Sequence, residues 1–189
     1  GDRWAVVMEL VDGVTLELVA LCRPMPAGSA LEIVAEVARA LDVAWSASGP
    51  EGAPLHLMHR DIKPPNIQIT ASGDVKVLDF GVARADFGHR EAKTQALSFG
   101  SIPYMSPERL DFVDTPAGDV YALGAVLFEI ISGEAFGKAM GRPEVHAARV
   151  EDRAAWVRGN LPDGGERVAD LLTSMLAYEA DERPTAREL

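Results

Sequence analysis

The sequence predicts an α+β fold that is mainly α-helical and carries a small β-hairpin. Its length of 189 residues suits one domain or a large part of one. Hydrophobic residues make up 48 % of the chain and charged residues 25 %, which is typical of a protein that buries its own core. Helical periodicity dominates the pattern, and period-two alternation is clear in one short region. These observations exclude a disordered or fibrous chain.

The first elements are predicted to be a strand and a short helix. Residues 4–10 form an apolar run that is typical of a buried strand, ended by the turn at Gly13. Residues 15–23 predict a helix, which Pro24 would stop. Cys22 lies in the apolar part of this helix, so we expect it in the core.

A longer helix and the hairpin follow. Ser29 and Glu32 have the spacing of a capping box, and apolar residues then recur every three or four positions up to about residue 45. Residues 67–70 and 75–78 alternate in polarity around an Ala-Ser-Gly-Asp turn, which predicts a β-hairpin.

The second half is predicted to be a long loop followed by helices. Residues 81–116 lack clear periodicity, and we expect a loop with one helical turn near residues 107–109. Residues 116–132 are apolar nearly all round, which predicts a central buried helix closed by a glycine. Residues 143–160 and 168–176 predict two further helices.

Charge and cysteine content narrow the function classes. Lys and Arg number 18 and Asp and Glu number 29, so the net charge is −11 and general nucleic-acid binding is disfavoured. The single cysteine cannot form an intramolecular disulfide, which favours a cytoplasmic protein. The first residues show neither the basic region nor the apolar region of a signal peptide, and the most apolar stretch, residues 121–131, is too short to span a bilayer. His56, His89 and His146 are expected to be ordinary surface or loop residues.

The chemistry is concentrated in the segment His-Arg-Asp-Ile-Lys-Pro-Pro-Asn at 59–66. Phosphoryl transfer needs a carboxylate to accept a proton, oxygen ligands for a divalent metal and a cation near the transferred charge. Asp61, Lys63, Asn66 and Asp79 supply these groups. A loop that is stiffened by two prolines carries three of them, and the end of the hairpin carries the fourth.

These motifs resemble those of eukaryotic-like (Hanks-type) serine/threonine protein kinases, and bacterial members most of all. The pattern His-Arg-Asp-x-Lys-Pro-x-Asn is met at 59–66, and Asp-Phe-Gly is met at 79–81. The Ala-Pro-Glu motif appears as Ser-Pro-Glu at 106–108. Residues 119–124 are similar to Asp-x-Trp-Ser-x-Gly, and Arg-Pro occurs at 183–184. The resemblance covers residues 1–189 as a partial kinase domain, the hinge and the larger C-terminal lobe of the protein kinase-like fold.

The resemblance implies ATP-dependent phosphorylation of serine or threonine in a protein substrate. Asp61 would be the catalytic base, and Lys63 would contact the γ-phosphate. Asn66 and Asp79 would bind Mg²⁺. Lys63 also favours serine/threonine over tyrosine specificity. The catalytic loop would span residues 57–66.

The resemblance also implies a nucleotide site. Met8, Glu9 and Val11 would form the hinge that reads the adenine edge. Gln68 stands where the family usually has an aliphatic side chain beneath the adenine. A polar amide there would weaken that packing by about 1–2 kcal/mol.

Regulatory and structural residues follow from the same resemblance. The activation segment would span residues 79–108, with Thr94 and Ser98 as phosphorylation candidates and Arg60 as the cation that pairs with the phosphate. Three structural roles are also implied. Ser101 would contact the base and Lys63, and Glu108 would pair with Arg183 beneath the substrate loop. Asp119 would accept hydrogen bonds from the catalytic loop and anchor it.

The family's glycine-rich loop and the lysine-bearing strand do not precede Met8 in this sequence. We therefore expect an N-lobe upstream and little activity from this chain alone. The alternative is a non-catalytic, kinase-like lobe that binds a partner protein. Retention of Asp61, Lys63, Asn66 and Asp79 favours the enzyme, whereas Gln68 and the lobe missing from this sequence favour the binding module.

Overall fold

The computed structural model describes residues 8–80 and 101–189. Within these ranges helices dominate, and they accompany a three-stranded antiparallel sheet. The helices are α1 (Leu16–Cys22), α2 (Ala27–Ser46), α3 (Pro107–Leu110), α4 (Pro116–Ser132), α5 (Pro143–Asn160) and α6 (Gly165–Met175). The strands are β1 (Gly13–Thr15), β2 (Ile67–Thr70) and β3 (Val75–Val77). The predicted mainly helical fold with a small hairpin is confirmed, and β1 adds a third strand to the sheet.

Helix α4 forms the centre of the core. It begins with a proline, and the Thr115 hydroxyl caps it by accepting a hydrogen bond from the Gly118 N–H at 3.1 Å. It ends at Gly133, whose φ of 78° is left-handed and suits a residue without Cβ. From Gly118 onward nearly every residue of the helix is buried. The prediction for residues 116–132 is therefore confirmed.

The neighbouring helices pack around α4. Val34, Ala38 and Leu41 of α2 are buried, and α2 packs against α4. On another side α6 approaches α4 so closely that a Cβ on Gly124 would lie 2.9 Å from the Cβ of Met175. Helix α5 packs on α6. The predictions for the last two helices are confirmed, with α6 beginning a few residues earlier than expected.

The sheet contains the predicted hairpin, but its first described strand is β1 at Gly13–Thr15 and not the strand predicted at residues 4–10. Strands β2 and β3 pair in antiparallel register, with Ile67 opposite Val77. Gly13 opens β1 rather than ending a strand, and it lies opposite Thr70. A Cβ on Gly13 would lie 2.5 Å from the Ile69 carbonyl oxygen, so the close pairing requires glycine. Of the predicted strand at 4–10, residues 8–10 are not in a strand, and the remainder lies outside the described residues.

The start of α2 also differs from the prediction. The helix begins at Ala27 after Pro26, which offers no side-chain cap, so the predicted capping box at Ser29 does not form. Ser29 instead lies within the first turn. A proline just before the helix ends the preceding extended chain without needing a hydroxyl cap.

Two residues have a different burial from the one expected. Cys22 is exposed because α1 buries only Leu16, and its thiol donates to the Leu18 carbonyl at 3.4 Å. His146 is buried in α5, where its Nε2 lies 2.8 Å from the Leu176 carbonyl oxygen. His56 is exposed as predicted, and His89 lies outside the described residues.

In residues 8–80 and 101–189, no helix has both the length and the apolar character needed to cross a membrane.

Candidate functional site

A buried carboxylate ties the loop that contains Asp61 to the central helix. The two carboxylate oxygens of Asp119, in the first turn of α4, accept hydrogen bonds from the backbone N–H groups of His59 and Arg60, each at 2.7 Å. Burial raises the pKa of Asp119, although these two hydrogen bonds oppose the shift. The backbone that leads into Asp61 is therefore attached to the core of the domain.

His59 connects this loop to the chain that precedes Asp79. Its ring is buried, and Nε2 donates to the Leu78 carbonyl at 2.7 Å. Nδ1 accepts the backbone N–H of Asp61 at 3.2 Å, so both ring nitrogens have a role only in the tautomer protonated at Nε2. The edge of the ring also packs against Phe80, with centroids 4.9 Å apart. One side chain thus fixes two segments relative to each other.

Asp61 lies at the centre of a hydrogen-bonded group of four side chains. The Lys63 ammonium lies 2.8 Å from Asp61 Oδ2 and donates to Ser101 Oγ at 2.9 Å. The Ser101 hydroxyl donates to Asp61 Oδ1 at 2.8 Å, and the Asn66 amide donates to Oδ2 at 3.0 Å. The Asp61 side chain nevertheless remains 41 % exposed. A carboxylate held at both oxygens is well oriented, and a reacting group can still approach it from solvent.

Asn66 and Asp79 come together through the backbone. The Leu78 N–H donates to the Asn66 carbonyl at 2.8 Å, so Asp79 follows directly after the residue that is bonded to Asn66. Asp79 is exposed and has a left-handed φ of 58°, a conformation that is costly for a residue with a side chain and is frequent at functional sites. The Asn66 amide nitrogen faces Asp61, which leaves its amide oxygen as the donor atom for a cation.

The donor set suits magnesium in its chemistry. Amide and carboxylate oxygens are the hard ligands that Mg²⁺ takes from proteins, usually one or two of them together with water and phosphate oxygens. Among the residues that the structure describes, no group of three or more His, Cys, Asp or Glu side chains is arranged to hold a metal. Asn66 and Asp79 offer one amide and one carboxylate.

The predicted hinge residues lie in the segment that leads into β1. Met8 is 66 % exposed, and the Glu9 carboxylate lies 3.6 Å from the Lys76 ammonium of β3. Val11 is half-buried. Gln68 occupies the middle strand, and its buried Oε1 atom has no hydrogen-bond partner within residues 8–80 and 101–189. An unsatisfied buried acceptor costs about 1–3 kcal/mol, so this amide is an unfavourable feature of the sheet.

Arg60, predicted to pair with a phosphate, contacts a carboxylate in the structure. Its Nε lies 3.3 Å from Oδ2 of Asp114, and the Nε of Arg109 lies 3.8 Å from the other oxygen of the same carboxylate. Sequence reasoning did not single out Asp114, because no local pattern links it to a residue so distant in the chain. Thr94 and Ser98 lie outside the described residues.

Glu108 and Arg183 form a bidentate ion pair. The two terminal guanidinium nitrogens donate to the two Glu108 oxygens at 2.8 and 2.9 Å, and the Arg183 side chain is fully buried. Its remaining donor capacity is used by backbone carbonyls, including that of Ala117 in α4 at 3.1 Å. Burial raises the pKa of Glu108, but the Arg183 guanidinium more than offsets this and holds it below its usual range. The pair links α3 to the segment that follows α6.

A second carboxylate of α4 contacts the segment that follows Ser101. The Tyr104 hydroxyl donates to Glu129 Oε2 at 2.7 Å, and burial raises the pKa of both side chains. The only sequence signal for this contact was a glutamate that interrupts an apolar helix.

Known proteins are similar to this chain in sequence. The family described as protein kinase domain matches residues 1–189. The serine/threonine-protein kinase PknB of Mycobacterium leprae is 46 % identical over 132 residues, which cover 68 % of this chain and 20 % of that protein. PknB of Mycobacterium tuberculosis H37Rv is 45 % identical over 134 residues, with the same coverage. PrkC of Bacillus subtilis is 37 % identical over 134 residues, which cover 70 % of this chain and 19 % of PrkC. The chain thus spans about a fifth of the length of the curated relatives it matches.

A solved structure supports the fold. The crystal structure of Rad53 1–466 in complex with AMP-PNP superposes with a TM-score of 0.63 at 22 % identity. The match covers 95 % of this chain and 43 % of the Rad53 chain. The predicted kinase-like fold is therefore confirmed.

Proposed function

Because the chain belongs to the protein kinase family, as the match over residues 1–189 shows, we propose that it supplies the catalytic groups for ATP-dependent phosphorylation of serine and threonine in protein substrates. The observation that carries the proposal is the oriented Asp61 carboxylate, which accepts hydrogen bonds at both oxygens while 41 % of its side chain stays exposed. Relatives named serine/threonine-protein kinases support the same substrate class. A cytoplasmic location, suited to a chain with one unpaired cysteine, is part of the proposal.

In the proposed reaction Asp61 is the base. The substrate hydroxyl oxygen forms a bond to the γ-phosphorus of ATP, and the bond from that phosphorus to the oxygen bridging the β-phosphate breaks. The hydroxyl proton passes to the Asp61 carboxylate. The hydrogen bonds from Ser101 and Asn66 keep the carboxylate oriented toward the attacking group, so less reorganisation is needed at the moment of transfer.

Lys63 is the cation beside the transferred charge. Its ammonium already lies 2.8 Å from Asp61, so a γ-phosphoryl group delivered to this carboxylate would also meet a positive charge. Asn66 and Asp79 would hold Mg²⁺, which neutralises phosphate charge when it is bound. The proposal includes regulation, in which Arg60 would pair with a phosphate on Thr94 or Ser98.

The nucleotide would be bound along the segment that enters β1. Backbone groups of Glu9 and Val11 would read the adenine edge beside Met8, and Gln68 would lie beneath the ring. The buried, unsatisfied Oε1 of Gln68 supports a weaker adenine contact than an aliphatic residue would provide.

The test is phosphate transfer from [γ-³²P]ATP to a serine- and threonine-containing test protein, using the complete gene product. Asp61→Asn should lower kcat by at least about 100-fold while nucleotide binding, measured by calorimetry, persists. Asp163→Asn is the matched control, since that aspartate is exposed in the α5–α6 connection. Equal turnover of Asp61→Asn and wild type would refute the base assignment. Absence of transfer by the wild type would favour the non-catalytic binding lobe.

A further inference from the structure

Asp114 contacts the arginine that directly precedes Asp61. Its Oδ2 lies 3.3 Å from Arg60 Nε, and its Oδ1 lies 3.8 Å from Arg109 Nε. The three side chains are only 12–30 % exposed, so water screens these contacts less than it screens pairs on the open surface. One carboxylate therefore bridges the catalytic loop and helix α3.

The Arg60 backbone is in a conformation that needs external support. Its φ of 69° is left-handed, which costs about 1–2 kcal/mol for a residue with a Cβ. Such a residue persists only where its surroundings hold it. The Arg60 N–H is held by Asp119 at 2.7 Å, and the guanidinium is held by Asp114. Arg60 is thus held at its backbone N–H and at the Nε of its guanidinium.

The Arg60–Asp114 contact acts mainly through charge. Among the residues that the structure describes, the buried Arg60 Nε has no hydrogen-bond partner, although it lies 3.3 Å from a carboxylate oxygen of Asp114. An amide at position 114 would keep the shape of the side chain but remove the negative charge that attracts the guanidinium. A glutamate would keep the charge and change the reach by one methylene. These two substitutions therefore separate charge from packing.

We propose that Asp114 is a positioning residue for phosphoryl transfer: it holds Arg60, and through Arg60 the loop that orients Asp61, without a phosphate on the activation segment. The inference rests on the proposed kinase function. Asp114 lies outside the catalytic motifs. Its carboxylate would supply the negative charge that Arg60 is otherwise expected to receive from a phosphate.

The kinetic test uses the complete gene product after phosphatase treatment. Asp114→Asn should lower kcat about tenfold, equivalent to about 1.4 kcal/mol in the barrier, and Asp114→Glu should restore most of it. The KM for ATP should stay within about twofold, because Asp114 acts on the loop and not on the nucleotide. Asp111→Asn, at an exposed aspartate of the same connection, is the control and should match wild type.

A second measurement does not depend on activity. Amide hydrogen exchange should become faster in residues 57–66 of Asp114→Asn, while exchange in α4 stays at the wild-type rate and shows that the domain is folded. Wild-type exchange in residues 57–66 would overturn the proposal, even if kcat falls, because Asp114 would then act elsewhere. An active wild type with an equally active Asp114→Asn would also overturn it. If the wild type transfers no phosphate, the proposed function fails, and the exchange result alone decides whether Asp114 positions the loop.

Discussion

Replacing Asp119 with asparagine tests how strongly the central helix holds the loop that contains Asp61. The carboxylate accepts N–H groups from His59 and Arg60 at 2.7 Å, and hydrogen bonds to a charged acceptor contribute about 1.5–3 kcal/mol each. An asparagine can accept only one of the two, and it turns its own NH₂ toward the other donor. The unsatisfied N–H destabilises the fold by about 1–3 kcal/mol more. Removing the buried charge also removes its desolvation penalty, which offsets part of the loss. We therefore expect a net destabilisation of about 2–4 kcal/mol.

The assay is urea unfolding of the complete gene product, followed by tryptophan fluorescence, to which Trp45 in α2 and Trp156 in α5 contribute. Asp119→Asn should lower the unfolding midpoint with an unchanged m-value. Asp163→Asn should stay within about 0.5 kcal/mol of wild type because that side chain is exposed. If Asp119→Asn unfolds at the wild-type midpoint, the two hydrogen bonds do not anchor the loop. A higher midpoint would mean that burial of the charge costs more than the hydrogen bonds contribute.

Four further substitutions test other parts of the structure. Glu108→Gln leaves the buried Arg183 guanidinium without its counter-charge, so the free energy of unfolding should fall by about 3–5 kcal/mol in urea titrations. Burial lowers the pKa of His146, so its contribution to stability is full above pH 6.5, the unfolded value, and is lost as the pH falls toward the folded value. Melting temperatures between pH 5 and 8 should therefore depend less on pH in His146→Gln than in wild type. Gly124→Ala should cost about 1–3 kcal/mol in urea unfolding, because the new Cβ would lie 2.9 Å from that of Met175. Gly28→Ala, where a Cβ meets nothing within 4 Å, should instead stabilise α2 by about 0.5–1 kcal/mol.

Helical periodicity predicted the core helices, because the apolar residues of one helix recur every three or four positions within a single stretch of sequence. The limits of α4 and α5 agree with those predicted. Strand β1 could not be predicted, because it exists only through pairing with β2, and Gly13 looked like a turn residue. Burial of His146 was also missed, since the amphipathic pattern of α5 is weak and the histidine bonds to a carbonyl beyond α6.

The candidate site was predicted unevenly for a related reason. The resemblance predicted that Asp61, Lys63, Asn66 and Asp79 share one site, because the family motifs contain these residues at fixed spacings. Asp114 has no such spacing, and its contact with Arg60 depends on how the α3–α4 connection folds back onto the loop at residues 57–66. Side-chain contacts between distant segments are set by packing, which the local sequence does not encode.

Helix α4 is the common anchor of the parts that would carry out the chemistry. Asp119 near its start binds the loop that contains Asp61. The Ala117 carbonyl accepts a hydrogen bond from the guanidinium that pairs with Glu108, and Glu129 accepts one from Tyr104. The helix is buried on nearly every side, so none of these contacts can shift without disturbing the core. A displacement of α4 would therefore move all three segments together. The candidate site is preorganised because its loops share one rigid support, and the packing of α4 adds to the hydrogen bonds that orient the Asp61 carboxylate.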